Sequence, residues 1–351
     1  MNINEMSIEE KVGQLFLVGF QGLKITGETI HLISTYKIGG VYYSSENVRN
    51  PKQIHRLSED MQLYAGREFP LLLAISQKGG NRNNIINGVV QSPSQSVLGS
   101  VNNRLYTKRM AEIIAAELYA MGINMNFYPS LHIDKEVDNS FSNSCDLVAK
   151  HGAAAIQGHQ NEGVSAVPTH IFSHPEKVDK LLTAAYDDAR SPLYPVYKAI
   201  QNDVDALFVS KKMIPDLGIK NPALYSRSMI HRLLRDELLY EGVLMSTIDA
   251  KIFESKLEMA KYAVTAIQAG VDLLFIPASY SHQIYTINRV IEAVKSGELQ
   301  EEWINHAVDR IIKLKRKRNI GQLSPFNREK FEQKRDIQFV NRLNDLSVTS
   351  S

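Results

Sequence analysis

The chain has 351 residues, of which 44% are hydrophobic and 22% are charged, so it is long and apolar enough to bury a large core in one domain or two. Its 40 basic side chains nearly balance its 38 acidic ones, and the formal net charge is +2. This balance gives no support for a protein that binds nucleic acid or an acidic membrane. The single cysteine, Cys145, excludes an internal disulfide and a zinc site built from cysteines, and a lone thiol is typical of a reducing compartment.

The N-terminal sequence shows no basic segment followed by an apolar one, which is the pattern of a signal peptide. No apolar run elsewhere approaches the ~20 residues that a membrane-spanning helix needs. We therefore expect a cytoplasmic protein that makes no membrane contact.

Short apolar runs alternate along the chain with longer stretches whose apolar residues recur at helical spacing. The predicted strands are Gln14–Phe20, Gly40–Tyr43, Leu71–Ile75, Asn124–Phe127, Ser165–Thr169, Ala206–Val209, Val243–Ser246 and Leu273–Ile276. The clearest helical stretches between them are Lys108–Met121, Ser228–Leu239 and Lys256–Ala269. Eight strand–helix alternations are typical of parallel strands joined by helical crossovers, and the count of eight favours a single (β/α)8 barrel over an open doubly wound sheet.

The end of the chain differs in composition from the rest. Residues 326–351 are polar and charged, and Phe331, Phe339 and Leu343 are the members of a weak apolar stripe. We predict a barrel over residues 1–325 followed by a charged C-terminal extension. A helix packed on the barrel is one interpretation of this extension, and a helix that docks a partner protein is the other.

Functional sites of (β/α)8 barrels lie at the carboxyl ends of the strands. The segments that follow predicted strands 3 to 8 are Ser76–Gly80, Tyr128–His132, Thr169–His170, Ser210–Lys212, Ser246–Asp249 and Pro277. Their side chains are mainly those of Ser, Thr, Lys, His and Gln, and none of the segments begins with Asp or Glu. The sequence therefore predicts a polar, nearly neutral rim rather than an acidic one.

Several segments carry a family resemblance when they are taken together and in order. They are Glu10–Phe16, Ile38–Tyr42 followed by Asn47, Gly122–Phe127, Leu224–Arg227, Leu233–Arg235, Glu241–Val243 and Ala269–Asp272. This order resembles bacterial family-3 β-N-acetylglucosaminidases over roughly residues 6–325. The resemblance implies a (β/α)8 barrel, substrates that contain N-acetylglucosamine, and no cofactor.

The motifs that line the site in this family are altered in this chain. The family's Asp-Gln-Glu-Gly-Gly reads Ser76–Gly80 here, so an acidic pair is replaced by Ser76 and Lys78. The family's Asp after strand 4 falls on His132, and the Arg before Ser-Phe falls on Asn139. On the resemblance, four charged residues of the family are replaced in this part of the rim.

The catalytic motifs depart in the same way. The family's Lys-His-Phe-Pro-Gly-His-Gly keeps only His170 and His174 here, and begins with Thr169. The segment that holds the family's Asp-x-His acid/base pair aligns with Asp179 and puts Leu181 in place of the His.

At strand 7 the family's Ser-Asp-Asp-Leu reads Ser246–Asp249, so the nucleophile position falls on Thr247. Lys211 stands after strand 6 where the family usually has His. The positions that match substrate-contacting residues are His170, His174, Ser246, Asn139, His132, Ser76, Thr169 and Lys211.

Hydrolysis of a glycosidic bond needs two carboxyl groups about 5–9 Å apart across it, and a Thr hydroxyl is a poor nucleophile without an adjacent base. We therefore expect a catalytically degenerate homologue. Such a protein would bind a sugar, a cell-wall fragment of the muropeptide kind, or a protein partner such as an active paralogue.

Two alternatives stay open at this point. The chain is an active β-N-acetylhexosaminidase-like hydrolase if Asp249 and Asp179 serve as relocated carboxylates. It is an interaction scaffold if the C-terminal extension docks a partner. A metal site at His170 and His174 is not expected because no third ligand is in view, and the basic run Lys313–Arg318 is interpreted as a solvated helix end.

Overall fold

The computed structural model describes residues 2–81, 83–134, 138–169, 171, 185–209, 228–277, 279–322, 325–333 and 335–348. Its strands are β1 Phe16–Gly19, β2 Gly40–Tyr43, β3 Leu72–Ile75, β4 Met125–Asn126, β5 Ser165–Ala166, β6 Ala206–Phe208, β7 Val243–Thr247 and β8 Leu273–Ile276. Its helices are α1 Ile8–Gln14, α2 Gly27–Ser34, α3 Pro51–Ala65, α4 Gln95–Val101, α5 Arg104–Ala120, α6 Cys145–Asn161, α7 Tyr194–Gln201, a π-helix at Ser228–Glu237, α8 Lys256–Gln268, α9 Tyr280–Lys295, α10 Glu301–Lys317, α11 Arg328–Gln333 and α12 Ile337–Val348. All eight predicted strands are found.

The strands form one parallel sheet in the order β5-β4-β3-β2-β1-β8-β7-β6. The two outer strands meet as well, because the Phe208 amide donates to the Pro168 carbonyl at 2.9 Å and Ile171 forms a parallel bridge with Val209. The predicted single (β/α)8 barrel is therefore confirmed.

Side chains alternate along each strand between the barrel interior and the helix layer. The interior is filled by Leu17, Leu72, Ala74, Met125, Phe127, Val167, Ala206, Val243, Met245, Leu273 and Phe275. The opposite faces of the same strands, with Val18, Val41 and Leu244 among them, pack in the larger core under the helices. Because of this alternation, each strand sends only every second residue towards the mouth.

The amino ends of the strands are held by buried ion pairs. Asp272, directly before β8, accepts from Arg235 at 2.7 Å and from Arg310 at 2.9 Å. Asp205, directly before β6, pairs with Lys317 at 2.9 Å and with Arg318. Since this end lies opposite the mouth, these residues stabilise the barrel and are remote from the strand tips.

The basic run at the end of α10 is less solvated than we predicted. Lys315 is only 2% exposed, and its Nζ donates to Gln14 Oε1 at 2.7 Å. The run is correctly placed at a helix end, but Lys317 and Arg318 bind acidic side chains of the barrel. Lys313, with a side chain that is 69% exposed, and the exposed Arg316 match the solvated interpretation.

The C-terminal extension folds back on the barrel as α11 and α12. Phe331 and Leu343 of the predicted stripe are buried, and the half-buried Phe339 meets the ring of Tyr106 on α5 edge-on at 5.5 Å. Val340, which the stripe did not include, is buried as well. These apolar side chains thus pack against the barrel of the same chain.

Candidate functional site

The mouth of the barrel has an aromatic floor, which we define as Tyr42, Phe127, Phe208 and Phe275. Tyr42 stacks on Phe127 with ring centroids 5.3 Å apart and meets Phe275 at 4.7 Å. Phe208 lies 5.3 Å from Phe127. The four residues come from β2, β6 and β8 and from the end of β4, and alternate strands supply the side chains of one layer in a (β/α)8 barrel. The floor is therefore the uppermost aromatic layer of the barrel core.

Sequence reasoning missed this floor, although a signal for it existed. Each of the four aromatics occupies an inward position of an even-numbered strand, so counting inward positions strand by strand would have found it. Tyr42 and Phe208 are only partly buried, and the Tyr42 hydroxyl accepts from Asn84 Nδ2 at 3.0 Å. Burial raises the pKa of Tyr42, so its phenol stays neutral and can donate a hydrogen bond.

Small polar residues from the odd-numbered strands stand around this floor. Ser76 follows β3, Thr169 follows β5 and Thr247 ends β7, all at inward positions by the alternation of the strands. Lys78 Nζ donates to Thr169 Oγ1 at 2.9 Å, and Thr247 Oγ1 donates to the Phe275 carbonyl at 3.3 Å. The structure thus brings Ser76, Thr169 and Thr247 to the mouth, as we predicted.

Lys78 changes the charge distribution that the resemblance implied for the rim. On the resemblance, Thr169 marks a lost family lysine, and the rim was expected to be poorer in charge there. The ammonium of Lys78 now reaches that same place from the neighbouring β3 loop. The motif comparison alone could not show this exchange, because the two residues are 91 positions apart.

The β3 loop, whose described residues are 77–81 and 83–94, is held to the barrel by hydrogen bonds. Asn126 accepts from the Gln77 amide at 2.9 Å and donates to its carbonyl at 3.0 Å and to His159 Nε2 at 2.9 Å. Burial lowers the pKa of His159 to about 4, so its ring is neutral and Nε2 can accept. Gly79 and Gly80 have φ values of 83° and 57°, which supports the prediction that they form a turn.

The segment after β4 contains a second group of predicted contacts. His132 Nε2 lies 3.5 Å from Asp134 Oδ2, and Ser140 Oγ donates to the His132 carbonyl. Asn139 is 8% exposed, and its Oδ1 has no hydrogen-bond partner among the residues described. This oxygen is itself buried, so the structure does not present it to a ligand at the mouth.

Two predicted residues near Thr247 have structural roles. Ser246 is fully buried, and its hydroxyl donates to the Val209 carbonyl at 3.3 Å, so it faces away from the mouth and is not brought to the site. Asp249 Oδ1 accepts from the Lys251 amide at 3.1 Å and caps the short turn Ala250–Ile252. This is the helix-start arrangement that is common for Asp.

The remaining predicted site residues, His170, His174, Asp179, Leu181 and Lys211, lie outside the described residues. Within the part of the chain that is described, no group of three or more His, Cys, Asp or Glu side chains is arranged to hold a metal ion. Nor does any described helix have the length and apolar character to cross a membrane. The inward strand ends that are described carry no carboxylate.

Residues 7–314 match the N-terminal domain of glycosyl hydrolase family 3. The chain belongs to this family. It is 26% identical over 339 residues to β-hexosaminidase A of Pseudoalteromonas piscicida, a match that covers 83% of the chain but only 55% of that relative. The family-3 chain thus spans about half the length of this relative.

Further relatives point the same way. The family-3 chain is 25% identical over 285 residues to the β-hexosaminidase of Nitrosomonas eutropha, with 75% of the chain and 81% of the relative covered. Its fold is similar to that of a family-3 β-N-acetylglucosaminidase from Paenibacillus sp. str. FPU-7, with a TM-score of 0.82 and 30% identity over 97% of this chain and 69% of the other. The predicted resemblance is confirmed, and the chain has a β-hexosaminidase-like family-3 barrel.

Proposed function

We propose that this family-3 protein recognises saccharides that contain N-acetylhexosamine at the mouth of its barrel. The observation that carries the proposal is the aromatic floor beneath Ser76, Lys78, Thr169 and Thr247. A pyranose ring has an apolar face that packs on aromatic rings, while its hydroxyls need polar partners at the edge of the site. The sugar class is taken from the relatives, which are named as β-hexosaminidases.

Hydrolysis of β-N-acetylhexosaminides is the candidate activity that the comparisons favour, since the relatives bear the names of hydrolases. Hydrolysis would require two carboxyl groups about 5–9 Å apart. Asp249 is the candidate that lies close to Thr247 in the chain, and Asp179 is the second. In such an enzyme one carboxyl group would protonate the leaving oxygen, and the other would attack the sugar or activate water.

Binding without cleavage is the second candidate, and Thr247 is the observation that favours it. Thr247 Oγ1 donates to a backbone carbonyl, whereas a hydroxyl nucleophile needs a base that accepts its proton. Lys78 stands at the sequence position of a family Glu, and its ammonium lies at Thr169, so the described rim gains a cation and loses an acid. Such a mouth can hold a saccharide through hydrogen bonds without polarising its glycosidic linkage.

The test combines calorimetric titration of the full chain with N-acetylglucosamine oligosaccharides and an assay of a chromogenic β-N-acetylglucosaminide. Binding together with release that is lost in Asp249→Asn or Asp179→Asn would establish hydrolysis through relocated carboxylates. Binding with release no faster than the buffer blank would establish the second candidate. The absence of both would overturn the proposed function.

Lys78→Met is expected to weaken saccharide binding about tenfold or more, because a hydrogen bond from a charged group contributes about 1.5–3 kcal/mol and about 1.4 kcal/mol corresponds to tenfold. The measurement is the Kd by calorimetry. Lys52→Met, on the exposed surface of α3, removes the same charge and should leave the Kd unchanged. Equal affinities for wild type and Lys78→Met would remove Lys78 from the site.

A further inference from the structure

We propose that the C-terminal helix pair, α11 and α12, is a positioning element for the mouth, and that Arg335 between these helices holds the β3 loop that carries Lys78. The effect that we expect on saccharide affinity rests on the proposed function. The contacts from the tail to the loop do not depend on it.

The tail is seated firmly enough to hold another segment. Phe331 is 4% exposed, Val340 3% and Leu343 1%, and all three belong to the core of the barrel. Because burial of large apolar side chains is strongly favourable, these anchors fix α11 and α12 against α4 and α5. Polar groups between the anchors are then placed at fixed positions.

Arg335 reaches the loop through a buried acid. Its Nε donates to Glu117 Oε1 at 2.7 Å, and the side chain of Glu117 is only 3% exposed. The two oxygens of Glu117 accept from the amide of Val90 in the β3 loop at 3.1 and 3.0 Å. Glu117 therefore connects the tail to the loop: Arg335 compensates its charge, and its oxygens accept the hydrogen bond from Val90.

A second contact from the tail arrives at the next residue of the loop. Asn344 Nδ2 on α12 donates to the Gln91 carbonyl at 3.2 Å. Val90 and Gln91 are thus bound from the same side, one through Glu117 and the other directly. Two independent contacts restrain this stretch more strongly than either would alone.

The bound stretch lies directly behind Lys78. The Gly80 amide donates to the Ser92 carbonyl at 2.9 Å. A Cβ at Gly79 would lie 2.2 Å from the Pro93 carbonyl oxygen, so the turn that follows Lys78 packs backbone to backbone on residues 92–94. A shift of residues 90–94 must therefore move Lys78. This would disturb the hydrogen bond from Lys78 Nζ to Thr169 Oγ1.

Loss of Arg335 would disturb the contact between Glu117 and Val90. A buried carboxylate that loses its charged partner is strongly disfavoured, so Glu117 would take up a proton or turn towards water. Either change weakens its hydrogen bonds to Val90. The ordering of the β3 loop, and with it the position of Lys78, thus depends on a residue in the tail.

The experiment compares Arg335→Met with Arg342→Met in the full chain. Arg342 lies on the exposed face of α12, and its Nε donates to the Gln338 carbonyl of the same helix. Arg342→Met therefore removes the same charge without touching the β3 loop. We measure hydrogen exchange at residues 77–94 and the Kd for an N-acetylglucosamine oligosaccharide. Arg335→Met is expected to accelerate exchange at Val90 and to raise the Kd on the order of tenfold, whereas Arg342→Met changes neither.

Two more variants separate positioning from loss of folding. Arg335→Lys keeps the charge and should recover most of the protection at Val90, and Asn344→Ala should loosen residues 90–94 without unpairing Glu117. Unchanged exchange in Arg335→Met, or accelerated exchange with an unchanged Kd, would overturn the proposal. A wild-type chain that binds no saccharide would instead refute the proposed function, while the exchange data still decide whether Arg335 holds the loop.

Discussion

Replacing Lys315 by Met is expected to raise the free energy of unfolding at pH 7 by about 2 kcal/mol. Burial lowers the pKa of Lys315 from 10.5 to about 7, and this costs the folded state about 4 kcal/mol at pH 7 and about 5 kcal/mol at low pH. The substitution removes that cost, but it leaves Gln14 Oε1 without its donor. The unpaired buried acceptor lowers the free energy of unfolding by about 1–3 kcal/mol. Urea unfolding of both proteins at pH 7 measures the difference.

The sign of the pH dependence gives a second check on Lys315. Its pKa is lower in the folded state, so its contribution to stability is present above about 10.5 and is lost as the pH falls through about 7. The advantage of Lys315→Met should therefore fall by about 1.4 kcal/mol for each pH unit above 7, vanish between pH 8 and 9, and become a disadvantage towards pH 10. Lys313→Met is the matched control, since that side chain is 69% exposed. An advantage that stays constant over this range would contradict the assignment of a neutral buried amine.

Asp272→Asn is expected to lower the free energy of unfolding by about 3–5 kcal/mol, the cost of removing one partner from a buried ion pair. The carboxylate accepts from Arg235 at 2.7 Å, from Arg310 at 2.9 Å and from the Leu244 amide at 2.8 Å. An Asn side chain keeps the shape but removes the counter-charge of the buried Arg235 and of the partly exposed Arg310. Urea unfolding monitored by circular dichroism gives the change.

The matched control for Asp272 is Asp203→Asn at the same end of the barrel. Asp203 binds Lys317 at 2.7 Å, but its side chain is 84% exposed, and exposed pairs contribute at most about 1 kcal/mol. If both variants lost the same stability, burial would not be the reason for the effect. Saccharide binding by the folded fraction of Asp272→Asn should be unchanged, because Asp272 lies at the opposite end from the mouth.

The motifs that carried the family resemblance include structural residues, and the ion pairs show why. The segments Leu233–Arg235 and Ala269–Asp272 are far apart in the chain, yet Arg235 and Asp272 form one buried pair. Their presence therefore predicted the barrel reliably while saying little about the reaction. The rim residues, which do concern the reaction, were the ones that departed from the family.

Single positions at the mouth were predicted with mixed success, for a geometric reason. Thr247 and Ser246 are neighbours, but the alternation of β7 sends Thr247 inward and buries Ser246 against the Val209 carbonyl. Residue matching treats both alike, whereas counting inward and outward positions separates them. The same count would have found Phe275 and the rest of the aromatic floor.

The sequence by itself determined the barrel, because the spacing of apolar residues in strands and helices is a local property that can be read along the chain. Only the tertiary structure decided that Lys78 meets Thr169 and that Arg335 meets Glu117, contacts that join residues 91 and 218 positions apart. Such pairs depend on how the closed sheet and the returning tail place distant loops side by side. No local pattern encodes that placement, and so the fold was predictable where the chemistry of the mouth was not.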